Sequence, residues 1–154
     1  MLVDVGGGHG RLLSMILMAY PKMRGVLFDL PHAFEGGQKA IAAAGLSNRC
    51  EVVSGDFFRS VPAGGDAYIL SRVIHDWMDE KAIAILKVVR GALAATGRLS
   101  YPLLSDLNMV IRTGGCERSR AEYRALYRAA GFKLSAAIET PSPTGMTIIE
   151  GKPS

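Results

Sequence analysis

Cysteine is scarce in this 154-residue chain, and the patterns of a secreted, membrane or metal-binding protein are missing from it. Its two cysteines, Cys50 and Cys116, do not have the spacing of a metal site or of a disulfide framework. No apolar run approaches the ~18 residues of a membrane span, and the N-terminus lacks the basic-then-apolar pattern of a signal segment. We therefore predict a soluble protein of the reducing cytoplasm with no membrane partner.

Basic charge of the kind that binds nucleic acid is also lacking, although the net charge is +4 and the pI is about 9.3. Most of the excess lies in one segment that Glu117 and Glu122 interrupt, and its arginines are Arg112, Arg118, Arg120, Arg124 and Arg128. The last three share one helix face because they are four residues apart. Since no aromatic residues are interleaved with them, we predict a solvated helix face and no nucleic-acid partner.

Strand-like and helical segments alternate along the chain, which is typical of an α/β domain built on a mainly parallel sheet. The length fits one domain, residues 1–154, and the apolar fraction of 49% indicates some apolar surface meant for a partner. The predicted strands are Leu2–Val5, Gly25–Leu30, Arg49–Val53, Ala67–Ser71, Arg98–Tyr101, Phe132–Glu139 and Met146–Gly151. The predicted helices are Arg11–Tyr20, Phe34–Ala44, Asp79–Leu93, and one that follows a capping box of Ser119 and Glu122 and ends at Ala130.

Two of these elements carry further expectations. The first helix has apolar residues around most of its circumference, so we expect other parts of the protein to cover it on more than one side. The last two strands are joined by Pro141-Ser142-Pro143-Thr144-Gly145, which is too short for a parallel crossover and predicts an antiparallel hairpin. A parallel sheet closed by such a hairpin is the layout of class I methyltransferases, whereas dinucleotide-binding folds usually continue with parallel strands.

The opening run Leu2-Val3-Asp4-Val5-Gly6-Gly7-Gly8-His9-Gly10 describes an apolar strand that breaks into a glycine turn before a helix. Glycine permits backbone angles and close approaches that a Cβ forbids, and the following helix presents free N–H groups. The glycines alternate after an acid, unlike the dinucleotide pattern G-x-G-x-x-G. This form favours a ligand with a carboxylate and an ammonium, which indicates S-adenosylmethionine; the alternative is a purely structural turn.

One acidic residue closes the second predicted strand and another follows the third. Asp29 lies about 20 residues beyond the glycine turn, where an acid can accept both hydrogen bonds of a ribose diol, and its alternative role is a helix N-cap. After the third strand, Asp56 can accept from an adenine amino group while the aromatic ring of Phe57 covers the base. Both positions support a nucleoside-containing cofactor.

The segment Ser71-Arg72-Val73-Ile74-His75-Asp76-Trp77 lies at the carboxyl end of the fourth strand, the edge at which open α/β sheets hold their ligands. A free imidazole has a pKa of ~6.5, so its neutral form can remove a proton from a hydroxyl at pH 7. His75 is therefore a candidate general base, and the alternative is a structural histidine beside Trp77.

With these segments the chain resembles the small-molecule O-methyltransferases of the caffeic-acid, acetylserotonin and bacterial polyketide-tailoring type. The matching motifs keep the family's order: Val3 to Gly10, Phe28-Asp29-Leu30-Pro31-His32, Gly55-Asp56-Phe57-Phe58, His75-Asp76-Trp77 and Gly114-Gly115-Cys116-Glu117-Arg118-Ser119. The resemblance implies a class I methyltransferase Rossmann-like fold, a hydroxylated small-molecule acceptor such as a phenol, and S-adenosylmethionine bound by Asp4, Gly6, Gly8, Gly10, Asp29, Leu30, Asp56 and Phe57. Ser71 stands where many members have a lysine, so we expect its contact with the cofactor to be through backbone or hydroxyl.

The resemblance also assigns the catalytic and acceptor-binding residues. In the family, a histidine at the position of His75 is the general base and two glutamates orient it; Glu117 matches one of them. The other normally follows the fifth strand, where this chain has a shorter connection and Asp106 is the nearest acid. Met109 resembles a methionine that packs against the acceptor ring, although a core methionine is the alternative, and we expect Trp77 on the acceptor side. No acids and histidines show metal-ligand spacing, so we expect no metal.

Family members also carry an N-terminal helical, winged-helix-like region that forms the dimer and covers the acceptor pocket, whereas this chain begins on the first strand. We expect a homodimer for the full-length form and weak methyl transfer by this catalytic domain alone. Two alternatives stay open. One is a truncated or degenerate domain that binds the cofactor without efficient turnover, and the more distant one is an NAD-dependent oxidoreductase.

Overall fold

The computed structural model describes residues 1–93, 97–103, 118–141 and 147–154. These residues form a sheet in the order β3-β2-β1-β4-β5-β7-β6. The strands are β1 Leu2–Val5, β2 Gly25–Asp29, β3 Cys50–Ser54, β4 Ala67–Ile69, β5 Arg98–Leu103, β6 Phe132–Glu139 and β7 Thr147–Pro153. β1 to β5 pair in parallel, and β7 pairs antiparallel with both β5 and β6. The predicted α/β sheet with a closing antiparallel hairpin is confirmed.

Helices cover both faces of this sheet. They are α1 Arg11–Ala19, α2 Pro31–Ala43, α3 Asp79–Ala92 and α4 Arg120–Ala129, and a short 3-10 turn spans Ile74–Asp76. Alternate residues of a strand point to opposite faces, so Leu2 and Leu27 pack with α1 and α2 while Val3 and Val26 pack with α3 and α4. The sheet thus separates two apolar cores.

Strand pairing explains where the predicted strand ends were wrong. β4 ends at Ile69, two residues before the predicted Ser71, because its pairing with β1 stops where Asp4 lies opposite Ile69. β5 continues through Pro102 to Leu103, whereas Pro102 was expected to end it. Proline lacks an N–H and cannot donate to a neighbouring strand. At Pro102 this costs nothing on the side of β4, because β4 pairs with β5 only as far as Ser100.

The start of one helix differs from expectation, and the start of another is as predicted. α2 begins at Pro31, three residues before the predicted Phe34, because proline fits the first position of a helix, where an N–H has no partner. The predicted capping box at the start of α4 is confirmed, since the Ser119 hydroxyl accepts from the Glu122 N–H and the Glu122 carboxylate accepts from the Ser119 N–H.

The expectation that α1 is covered on more than one side is wrong for the part of the chain that the structure describes. Leu13 and Leu17 are fully buried against the sheet, whereas Met15 and Met18 on the opposite side are 56% and 55% exposed. Within these residues, α1 is therefore covered on one side only, although apolar residues lie around most of its circumference.

Across the described ranges, no helix has the length and apolar content needed to cross a membrane.

The C-terminal end of α1 depends on Arg49, which precedes β3. Arg49 Nη1 donates to the carbonyl oxygens of Leu17 at 3.1 Å and Met23 at 3.0 Å, with Tyr20 at 3.4 Å. Leu17 lies in the last turn of α1, where carbonyls have no partner within the helix, so the guanidinium supplies a donor to it and ties the helix end to the segment that leads to β2.

We expect Arg49→Met to lower the free energy of unfolding by about 1–3 kcal/mol, because it leaves these carbonyls without their charged donor. Urea denaturation followed by circular dichroism measures the change. The matched control is Arg59→Met, since the Arg59 side chain is exposed and lies 3.7 Å from Asp56. An Arg49 variant as stable as the control would contradict this role.

Candidate functional site

The glycine turn after β1 has a left-handed backbone at every second residue. Gly6, Gly8 and Gly10 have φ values of 70°, 58° and 75°, a region that residues with a Cβ rarely adopt. The Gly6 N–H donates to the Phe28 carbonyl at 2.8 Å and the Gly10 N–H to the Gly7 carbonyl at 2.9 Å. The alternating glycines of the sequence are therefore the positions that the turn requires.

Three loops meet at Gly6. A Cβ on Gly6 would lie 2.6 Å from Val73 Cγ2 and 3.9 Å from Phe57 Cε1. Val73 belongs to the segment after β4 that carries His75, and Phe57 to the loop after β3. Three of the sequence motifs, widely separated along the chain, thus converge at the carboxyl edge of the sheet.

Asp29 joins the glycine turn to the start of α2. Its Oδ2 accepts the Gly8 N–H at 2.7 Å and its Oδ1 accepts the Leu30 N–H at 2.7 Å. The N-cap of α2 is Leu30, which makes no side-chain capping hydrogen bond, so Asp29 does not have the alternative N-cap role. Each carboxylate oxygen can accept a second hydrogen bond, which leaves Asp29 able to bind a diol.

Asp4 is the most unusual charged group of the site. Its side chain is 1% exposed, and among the described residues none hydrogen-bonds to either carboxylate oxygen. Burial, and to a lesser degree the charge of Asp29, raises the pKa of Asp4 to about 7. Burying a carboxyl without a hydrogen-bond partner is costly, so its presence here fits a ligand that supplies a cationic donor.

A cavity of about 650 Å³ opens beside Asp4. Asp4 of β1 and the turn residues Gly6 and Gly8 line it together with Ser71. The helix α1 and the strands β4 and β7 contribute an apolar wall of Leu12, Met15, Ile16, Ile69 and Ile148. Arg72 also lines it and has a φ of 59°, the only positive φ of a non-glycine residue within the described ranges. Small-molecule sites commonly have this size and this mixture of apolar walls and few polar groups.

Asp56 and Phe57 lie outside the lining of that cavity. Asp56 is partly exposed, and its Oδ1 accepts the Phe58 N–H at 2.9 Å. The Phe57 ring is buried in the core, with its centroid 5.1 Å from that of Phe58 and 6.3 Å from that of Trp77. Their predicted contacts with an adenine stay predictions.

His75 lies on the 3-10 turn Ile74–Asp76 and does not line the cavity either. Its side chain is buried, and Nε2 lies 3.6 Å from Asp76 Oδ1. The turn follows β4 directly, as the sequence predicted, so His75 and the glycine turn share one edge of the sheet. Glu117, Met109 and Asp106 lie outside the described residues, and their roles stay predictions.

Arg118 corrects one expectation from the charge pattern. Its place in the basic segment predicted a solvated side chain, but the residue is 4% exposed and its guanidinium binds the turn that carries His75. Arg120, Arg124 and Arg128 are exposed as predicted. Arg118 lies one residue before the helix N-cap Ser119, so the i,i+4 spacing of the helix arginines does not determine which way its side chain faces. No three metal-ligating side chains come together in the described part of the chain.

Comparisons with known proteins agree with this arrangement. A family model of the O-methyltransferase domain matches residues 1–133. The chain is 41% identical to phenazine O-methyltransferase PhzM of Lysobacter antibioticus, over 99% of this chain and 48% of that protein. It is 38% identical to O-demethylpuromycin-O-methyltransferase of Streptomyces alboniger, over 99% of this chain and 45% of that protein.

A solved structure is also similar along the whole chain. It is an O-methyltransferase (NcsB1) from neocarzinostatin biosynthesis, in complex with S-adenosylmethionine and 2-hydroxy-5-methyl naphthoic acid. The TM-score is 0.93 at 36% identity, and the match covers 99% of this chain and 48% of that one. This likeness confirms the predicted fold class. The chain spans about half the length of the curated relatives it matches.

The buried Asp4 carboxyl predicts a pH-dependent stability. The unfolded chain ionises this group near its ordinary pKa of 3.8, whereas the folded chain keeps the proton to about 7, so the folded state binds more protons between these values. Asp4 therefore lowers the free energy of unfolding as the pH rises from about 4 to 7, by up to ~1.4 kcal/mol per pH unit.

We expect Asp4→Asn to remove this contribution, because asparagine does not ionise. Urea denaturation of the wild type and the variant at several pH values between 4 and 8 measures the difference in slope. Parallel pH profiles for the two proteins would show that Asp4 does not hold its proton in the folded state.

Proposed function

The chain belongs to the family of S-adenosylmethionine-dependent O-methyltransferases, and from this membership we propose that it binds S-adenosylmethionine and methylates the hydroxyl of a phenolic small molecule. The observation that carries the proposal is the buried Asp4 carboxyl, which has no hydrogen-bond partner among the described residues and lines a cavity of about 650 Å³ beside the glycine turn. The acceptor class is inferred from relatives, one of which was solved with a hydroxylated naphthoic acid.

The cofactor is held in this proposal by groups around the glycine turn. Asp4, once ionised, accepts hydrogen bonds from an ammonium, and the backbone at Gly6, Gly8 and Gly10 leaves room for close approach. Asp29, already fixed by the N–H groups of Gly8 and Leu30, accepts from the ribose hydroxyls. Asp56, Phe57 and Ser71 complete the predicted contacts. When bound, S-adenosylmethionine supplies a methyl group on a positively charged sulfonium.

His75 is the proposed general base. It removes the proton of the acceptor hydroxyl and thereby raises the nucleophilicity of the oxygen, a contribution worth about 10²- to 10⁴-fold in rate. Its place on the turn after β4 supports this role, because the turn meets the glycine turn through the Val73–Gly6 contact. Glu117 is proposed to orient the imidazole, and Met109 and Trp77 to contact the acceptor.

The other components of the proposal concern partners and location. A homodimer of the full-length form and a cytoplasmic location remain predictions. The alternating left-handed glycines and the antiparallel strand β7 do not favour the NAD-dependent alternative, since dinucleotide sites use a different glycine spacing and mostly parallel sheets.

Two measurements test the proposed function. Calorimetry with S-adenosylmethionine and with NAD is expected to show binding of the first and not of the second. A panel of phenols incubated with the chain and S-adenosylmethionine is expected to give a product heavier by one CH₂ in mass spectrometry. Cofactor binding without any methylated product would support the binding-only alternative, and binding of NAD alone would contradict the family's chemistry here.

The first mutational test of the proposed function concerns Asp29. Asp29→Ala removes a charged acceptor, and a hydrogen bond to a charged group contributes about 1.5–3 kcal/mol, so we expect the dissociation constant for S-adenosylmethionine to rise roughly 10- to 100-fold. Calorimetry measures it. Glu35→Ala is the matched control, because Glu35 is an exposed acid on α2. Equal affinity of the wild type and the Asp29 variant would rule out this cofactor contact.

The second concerns His75. His75→Ala is expected to lower kcat about 10²- to 10⁴-fold for a weakly acidic phenol, while the affinity for S-adenosylmethionine stays unchanged. His32→Ala provides the control, since His32 is exposed at the start of α2. A phenol that is already ionised at the assay pH should recover most of the lost rate. Full activity of the His75 variant on a weakly acidic phenol would make this histidine structural.

A further inference from the structure

We propose that Arg118 is a positioning residue that fixes the turn carrying His75. Its guanidinium does so by binding one backbone carbonyl before His75, that of Ile74, and one after it, that of Trp77. The inference concerns the geometry of the turn; its consequence for catalysis rests on the proposed function of His75. Arg118 touches neither the cavity beside Asp4 nor, in this proposal, the reacting atoms.

The contacts of the Arg118 guanidinium surround the turn. Nη1 donates to the carbonyl oxygen of Ile74 at 3.3 Å and Nη2 to that of Trp77 at 2.7 Å. Ile74 is the residue before His75, and Trp77 comes two residues after it, so one side chain spans the segment that sets the direction of the imidazole. Nε donates to Asp79 Oδ1 at 2.9 Å, and this oxygen is also 2.8 Å from Nη2.

The third acceptor links the turn to a helix. Asp79 is the first residue of α3, and its carboxylate is mostly exposed whereas the guanidinium is almost fully buried. A buried cation needs hydrogen-bond acceptors on all sides, and here the two carbonyls and the carboxylate supply them. These hydrogen bonds therefore restrain both the guanidinium and the turn.

The backbone of Arg118 is itself anchored by the start of α4. The capping box closes the Ser119–Glu122 turn, with the Ser119 N–H donating to Glu122 Oε2 at 2.6 Å. α4 then packs through Tyr123 and Tyr127 in the same core as Ile74. Arg118 thus extends from a fixed helix end into the His75 turn, which makes it a rigid link and not a flexible surface contact.

Aromatic packing holds the other side of the same turn. The Trp77 ring meets Phe58 edge-to-face with centroids 4.9 Å apart, and Lys81 Nζ lies 5.0 Å from the centre of the Trp77 ring. The backbone of Trp77 is bound by Arg118 while its ring packs against the loop after β3. A turn of three residues with no side-chain cap needs such support to hold one conformation.

The shape of the guanidinium explains why an arginine is required. Its donors lie in one plane and diverge, so they can reach Ile74, Trp77 and Asp79 at once. A lysine carries its donors on one nitrogen and can keep the ion pair with Asp79 but not both carbonyl contacts. Arg118→Lys therefore separates the positioning role from the charge.

The experiment compares Arg118→Lys and Arg118→Met with a matched control, Arg90→Met. Arg90 also joins α3 to the end of α4 by an arginine–carbonyl bond, from Nε to the Gly131 oxygen at 3.1 Å, but at the far end of both helices from His75. Three signals are measured under native conditions: the fluorescence of Trp77, the only tryptophan of the chain, the imidazole NMR signals of His75, and urea denaturation. His75→Gln assigns the imidazole signals.

Positioning predicts that both Arg118 variants shift the Trp77 emission to longer wavelength, increase its quenching by acrylamide and move or broaden the His75 signals. Arg90→Met should leave these signals unchanged even where it lowers the urea midpoint. Arg118→Lys should recover part of the lost stability but not the Trp77 and His75 signals. With a phenol that the wild type methylates, the Arg118 variants should lower kcat about 10- to 100-fold with little change in the KM of S-adenosylmethionine.

Two outcomes would overturn the inference. One is native-state Trp77 and His75 signals in the Arg118 variants that match those of Arg90→Met. The other is full recovery of those signals by Arg118→Lys, which would reduce the role to charge. If the wild type methylates no phenol, the proposed function fails, yet the Trp77 and His75 signals still decide whether Arg118 holds the turn.

Discussion

The hydrogen bond from the Gly8 N–H to Asp29 is the contact on which the site depends. It closes the left-handed glycine turn onto the end of β2, and the turn can then bring Gly6 within contact distance of Val73 and the Phe57 ring. A side chain at Gly6 would separate these loops and require a backbone angle that it rarely adopts. The Asp4 carboxyl is buried without a hydrogen-bond partner in the described part of the chain, which is a cost of this arrangement that a ligand with an ammonium group would offset.

The elements that the sequence predicted well are those with local causes. The capping box at Ser119 and Glu122 marks the start of α4, and the short link after Glu139 leaves only a hairpin for the last strands. Pairing between distant strands is not a local property, so the end of β4 at Ile69 and the passage of β5 through Pro102 could not be predicted from their own segments. Exposure of Met15 and Met18 likewise depends on what packs against α1, which its apolar pattern does not contain.

In the site, too, features with local causes were predicted and features that depend on tertiary contacts were not. Alternating glycines and an acid at the end of β2 predicted a cofactor-binding turn and a ribose-binding carboxylate, but not that Asp29 would hold the turn through the Gly8 N–H. The protonation state of Asp4 depends on its burial, which follows from its place on β1 between β2 and β4 and from the close approach of Gly7, where a Cβ would lie 2.7 Å from Asp4 Cγ. The burial of Arg118 could not be predicted, because charge counts do not distinguish a guanidinium that binds backbone carbonyls from one that faces water. Its proximity to the His75 turn is a purely tertiary contact.

The central claim is that the turn, Asp4 and Asp29 together form the binding site for S-adenosylmethionine. A crystal structure of the chain grown with S-adenosylhomocysteine tests it most directly. We expect difference density in the cavity beside Asp4, with the amino group of the ligand on the Asp4 carboxylate and the ribose hydroxyls on Asp29. Ligand density at another place on the molecule, or a bound ligand that leaves the Asp4 carboxylate without a partner, would contradict the account.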